Sequence, residues 1–126
     1  MAPTLYIDIP WLLDVQEQAV PEDVTVADYS ALVAAVARHK TRIPRPATTD
    51  PDPAWRAAAL LHTLVRLEPL PYRNSLFACQ VTAAYMHLSG EGIDPPYGAM
   101  VDLVRDIQAR KATVYTAADR IRTWRL

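Results

Sequence analysis

Apolar residues recur at three- and four-residue spacing along most of the chain, and prolines cut that pattern into segments. Such spacing predicts helices joined by loops. Pro10 suits a first helical turn, with Trp11, Leu12, Val15 and Ala19 following at helical spacing and Pro21 ending the run. Thr25-Val26-Ala27-Asp28 reads as a capping box, Thr25 giving the cap oxygen and Asp28 reaching back to its amide. The second helix it opens carries Leu32, Val33, Val36 and Ala37 and runs out near His39-Lys40. Pro44, Pro46 and Pro51 make a loop of the next segment, because prolines at that density cannot supply the amides of a strand pair.

Asp52-Pro53 predicts the start of a third helix, with Asp52 as cap and Pro53 at the first position. From Ala57 to Val65 only His62 and Thr63 are polar, and from Leu76 to Met86 only Gln80 and Thr82 are. Helices apolar on every side belong at the centre of a bundle. The second of them ends around Ser89-Gly90. Pro95-Pro96 is expected to open a fifth helix, with Met100, Leu103, Val104 and Ile107 on one face. Thr113 caps a sixth, which carries Val114, Ala117, Ala118, Ile121 and Trp124. The prediction is an all-α fold: a single domain over residues 1–126, a six-helix bundle around two central apolar helices.

Composition narrows the function classes. The chain has 126 residues, 51% hydrophobic and 21% charged, which is globular composition. A formal charge of -1 leaves no overall electrostatic footprint for nucleic acid. Arg105, Arg110, Lys111, Arg120, Arg122 and Arg125 crowd the last quarter and read as solvated helix faces. Asp102 and Asp106 are expected to pair with Arg105 and Arg110 beside them. Cys79 stands alone in an apolar run, so it reads as a small buried hydrophobe, without a disulfide framework. No His pair sits at metal-ligand spacing with a carboxylate, so no metal is expected. His39 and His87 lie near helix ends, where the helix dipole suits them. Neither a signal peptide nor a membrane span is legible, and the expectation is a soluble, cytoplasmic protein with no membrane partner.

The connection between the two apolar helices, Arg66 to Ser75, is the place to look for chemistry. The start of the second helix presents unpaired amides and a positive dipole end, which suit an anion. Asn74 or Ser75 is placed to cap that helix, and capping alone is the simpler reading of both. His62 faces inward and reads as a hydrogen-bonded core histidine. His62 and Tyr72 are also expected beside the groups that would act at this loop.

The segment Ala57-Ala58-Ala59-Leu60-Leu61-His62-Thr63-Leu64-Val65-Arg66-Leu67, followed by Glu68-Pro69-Leu70-Pro71-Tyr72-Arg73-Asn74, resembles the stretch entering the motif of the Fic/Doc (death-on-curing) family. That motif reads His-Pro-Phe-x-x-Gly-Asn-Lys/Gly-Arg, with a Leu-Leu-His run six residues upstream of its catalytic His. The likeness continues in the flanks: Val26-Ala27-Asp28 and Leu32 to Arg38 resemble the second helix of death-on-curing proteins, and Ala99 to Trp124 their last two. It implies a Fic/Doc-like bundle and a nucleotide-dependent transferase that moves AMP or a terminal phosphate onto a protein hydroxyl. ATP with Mg²⁺ is the cofactor so implied, a translation factor the kind of target, and an antitoxin the partner.

Within the motif Pro69 and Asn74 match, and Leu70 replaces Phe with another apolar anchor. Glu68 stands where the family has its general base His, Arg73 replaces Gly, Ser75 the Lys or second Gly, and Leu76 the Arg. A carboxylate takes over from a histidine base only where burial raises its pKa. A lost cation removes stabilisation of phosphate charge in the transition state. The site expected from the resemblance is Glu68 and Arg73 as catalytic groups, with Asn74 and Ser75 at the anion. Three readings stand together: a divergent toxin component of a bacterial toxin–antitoxin pair, a catalytically inactive protein-binding module on the same scaffold, and an enzyme of different chemistry using Glu68 and Arg73. The self-inhibitory Ser/Thr-x-x-x-Glu helix of many Fic proteins is not found, so restraint is expected from another chain.

Overall fold

The computed structural model describes residues 3–20, 24–42 and 51–126. Among these residues six helices follow in order: α1 (Ile9–Ala19), α2 (Tyr29–His39), α3 (Pro53–Leu67), α4 (Asn74–Leu88), α5 (Ala99–Gln108) and α6 (Val114–Thr123). Among the described residues there is no strand, only an isolated bridge between Ile93 and Arg125. Pro21, Pro44 and Pro46, which mark predicted breaks, lie outside the described residues.

Side-chain caps start most of these helices. Asp8 accepts the Trp11 N–H at 2.9 Å and opens α1, with Pro10 in the first turn. Asp52 does the same for Trp55 at 2.9 Å, with Pro53 at the first helical position, and Thr113 accepts the Thr116 N–H at 3.2 Å. Each satisfies an amide that the helix itself cannot pair. Two predicted starts are corrected. Thr25 is not the cap of α2: Asp28 is, accepting the Ser30 N–H at 3.0 Å, while the Ala27 N–H is committed to the Pro69 carbonyl at 2.8 Å. Nor do Pro95-Pro96 open α5, which begins after Gly98 in a left-handed conformation (φ 83°). A proline disfavours helical backbone in the residue before it, so the pair holds the chain out of the helix.

α3 is the axis of the domain. It packs against α2, α4, α5 and α6, and eleven of its residues from Ala54 to Val65 are buried. α4 is less central than its composition suggests. It lies mainly on α3 and α1, burying Phe77, Ala78, Val81, Thr82, Tyr85 and Met86, while Leu76 and Leu88 reach the surface. One apolar core joins all six helices.

His39 is the last residue of α2, at the helix end the sequence predicts. It is fully buried, its Nε2 accepts the Ile7 N–H at 3.0 Å, and its Nδ1–H donates to the Val36 carbonyl. Beside it the buried Arg56 donates to the His39 carbonyl and lies over the Tyr6 ring, 5.1 Å from its centroid. A guanidinium at the carbonyl end of α2 complements that helix's dipole.

Three cations of the last quarter, Arg120, Arg122 and Arg125, pair with carboxylates. Arg122 holds Asp52 with two bonds of 2.7 and 2.9 Å and also reaches Asp119, and Arg125 holds Glu91 at 2.8 Å. Asp106 pairs across helices with Arg120 at 2.8 Å, in place of the expected bond along α5. No described helix is long and apolar enough to cross a membrane.

Candidate functional site

The turn from α3 to α4 is bracketed by two non-glycine residues with left-handed backbone, Glu68 (φ 47°) and Arg73 (φ 55°). That conformation costs an L-residue roughly 1–2 kcal/mol, so contacts on either side must hold it. Pro69 and Leu70 supply them, both buried, with Leu70 in the core. Asn74 supplies the rest. Its Nδ2 donates to the Leu64 carbonyl at 2.9 Å and its Oδ1 accepts the Leu70 N–H at 3.2 Å. The Asn74 amide is therefore spent on the turn itself.

This changes the expected division of labour. Neither Asn74 nor Ser75 caps α4: Arg73 occupies the cap position, and among the described residues no side-chain cap hydrogen bond is made at this helix start. Asn74 is drawn inward because α3 presents a carbonyl to it, and the helix start is left open. Glu68 is exposed, outside the apolar surroundings expected of a carboxylate that stands in for a histidine base. Arg73 is also exposed and lies over the Tyr72 ring, 5.3 Å from its centroid. Tyr72 is exposed together with Arg73.

Ser75 lies at the end of a cleft of about 480 Å³ between α4 and α5, lined by Leu76, Cys79, Met100 and Val104 and edged by Arg105. Burial pushes the Cys79 thiol up to about 11, which keeps it protonated and makes it an apolar wall. The loop residues Glu68, Tyr72, Arg73, Asn74 and Ser75 are gathered at one end of the α3–α4 pair.

His62 belongs to a different face. It is half-buried, and its Nδ1 lies 2.9 Å from an Arg38 guanidinium nitrogen on α2. The same nitrogen donates to Thr63 Oγ1 at 3.3 Å. These groups, with Arg66 and Leu67, line a hollow of about 430 Å³ between α2 and α3. Burial, then the charges of Arg38 and Arg66, lower the His62 pKa to about 4. The signal for this face is in the sequence: His62 and Arg66 are four apart, on one side of a largely apolar helix. Arg38 comes from another helix, so spacing alone does not reveal it.

Comparison with models of known families and with curated proteins finds no match for this chain.

Proposed function

We propose that the chain is a divergent, Doc-like toxin component of a bacterial toxin–antitoxin pair, with its working site at the α3–α4 turn. The observation that carries this reading is the uncapped first turn of α4, held in place by Asn74 and opening beside the apolar cleft at Ser75. Amides at a helix start attract phosphate oxygens, and an apolar cleft next to them suits the flat base of a nucleotide. ATP with Mg²⁺ is the ligand this combination favours. Glu68 and Arg73, both exposed at the turn, stand where a protein substrate or an antitoxin would meet the nucleotide. On this reading the protein works in the cytoplasm, and a partner chain restrains it.

A second reading, a binding module without transfer chemistry, is favoured by the exposure of Glu68 and the commitment of Asn74 to the backbone. Growth of a bacterial host separates the two. Inducing the protein without a partner slows growth on the toxin reading, and Glu68→Ala or Arg73→Ala restores it if the turn carries the activity. Toxicity that survives both substitutions counts against the α3–α4 turn as the working site. Unaltered growth on inducing the unsubstituted, soluble protein overturns the toxin reading.

A further inference from the structure

We propose that the hollow between α2 and α3 formed by Arg38, His62 and Arg66 binds a phosphoryl oxyanion carried by a small molecule. The inference goes beyond the toxin reading and does not depend on it, because its residues are not those of the α3–α4 turn.

The hollow presents donors. A guanidinium only donates, so the 2.9 Å contact makes His62 Nδ1 the acceptor and leaves the ring proton on Nε2. Thr63 Oγ1 likewise receives from Arg38, and its own hydroxyl proton remains to donate. Arg66 lines the same space. Among the described residues no carboxylate pairs with Arg38 or Arg66, although Arg120, Arg122 and Arg125 all have such partners. Burial weighs against the Arg38 charge, and the Tyr115 phenol of α6 acts the other way.

Two guanidinium groups beside a neutral imidazole, on a partly buried face, are a costly arrangement alone. Each is partly stripped of water, and like charges repel. An anion between them offsets both penalties. The chemistry favours a phosphoryl group over a carboxylate. Arg38, His62, Thr63 and Arg66 offer donors from two helices, and the oxygens of a phosphoryl group spread in three directions, whereas the two oxygens of a carboxylate match a single guanidinium fork. Ala34 and Leu67 flank the donors and leave room for the apolar part of a small phosphate ester.

The test follows His62 and arginine side-chain signals by NMR while the intact protein is titrated separately with inorganic phosphate, AMP and acetate. Saturable shifts at Arg38, His62 and Arg66 are expected with phosphate and AMP, and much weaker ones with acetate. Tighter binding of AMP assigns the site to an organic ester, and tighter binding of phosphate to the free ion; the oxyanion site stands in either case. Arg66→Gln is expected to weaken binding about tenfold, the loss of one charge-assisted contact. Should that variant fail to fold, Arg66→Lys keeps the charge without the fork and is expected to lose about threefold. Acetate binding as tightly as phosphate, shifts confined to Ser75 and Leu76, or unchanged affinity in the Arg66 variant overturns the proposal.

Discussion

Asn74 binds the Leu64 carbonyl through Nδ2 at 2.9 Å, tying the first residue of α4 to the last full turn of α3. The same side chain accepts the Leu70 N–H, so one amide group satisfies a helix end and a loop. Asn74→Ala leaves that buried N–H without its acceptor, at a cost of about 1–3 kcal/mol. Asn74→Asp costs more, because a carboxylate oxygen then faces the Leu64 carbonyl. Urea denaturation of the three proteins checks the order, and equal midpoints would remove Asn74 from its role.

Arg73 sits in a backbone region that suits glycine. Replacing it with alanine removes the contact with Tyr72 and keeps the strain, whereas glycine removes both. Arg73→Gly is therefore expected to be more stable than Arg73→Ala by about 1 kcal/mol. Thermal unfolding of the pair measures the difference.

Asp52 joins the start of α3 to α6 by capping Trp55 and holding Arg122. Burial alone would raise its pKa, but the Arg122 hydrogen bonds, the Trp55 N–H and the nearby charges hold it below the usual carboxylate value. Asp52→Ala loses the cap and the ion pair together, and is expected to cost about 2 kcal/mol. Arg122→Ala leaves the cap in place and costs no more than about 1 kcal/mol at this half-exposed pair. Denaturation curves for both variants test the ranking.

Stability is expected to fall as pH drops below 6.5. Burial, helped by Lys40 and Arg56, lowers the His39 pKa against the pull of the Val36 carbonyl, and His62 is lowered to about 4. With native values below the ordinary 6.5, the unfolded chain takes up more protons in this window. The contribution is complete above pH 6.5 and lost progressively toward about pH 4. Urea midpoints at about pH 7.5 and about pH 5 should differ in that direction, and by less in His62→Gln.

The helices were legible because their determinants are local. Asp52-Pro53, Thr113 and the apolar run through Leu60 and Leu61 act within a few residues, and each predicted element appears. What failed depended on the rest of the fold. Thr25 lost the cap to Asp28 because Pro69, from a distant turn, takes the Ala27 N–H. Asn74 left its expected cap because Leu64 offered a carbonyl across the turn. His39 stands at the helix end its position predicts, but its burial and the bond it takes from the Ile7 N–H depend on a distant segment. In the candidate site, the turn could be found between two apolar runs, but the exposure of Glu68 could not. The pairing of Arg38 with His62 joins two helices, and no spacing within one segment encodes it.

The toxin reading stands or falls with the open first turn of α4. Titrating isotope-labelled protein with ATP and Mg²⁺ reads it directly by NMR. Saturable movement of the Ser75 and Leu76 amide signals, together with side chains of the cleft such as Val104, is the predicted result. Movement only at Arg38, His62 and Arg66, or none at all, would contradict a nucleotide at the α3–α4 turn.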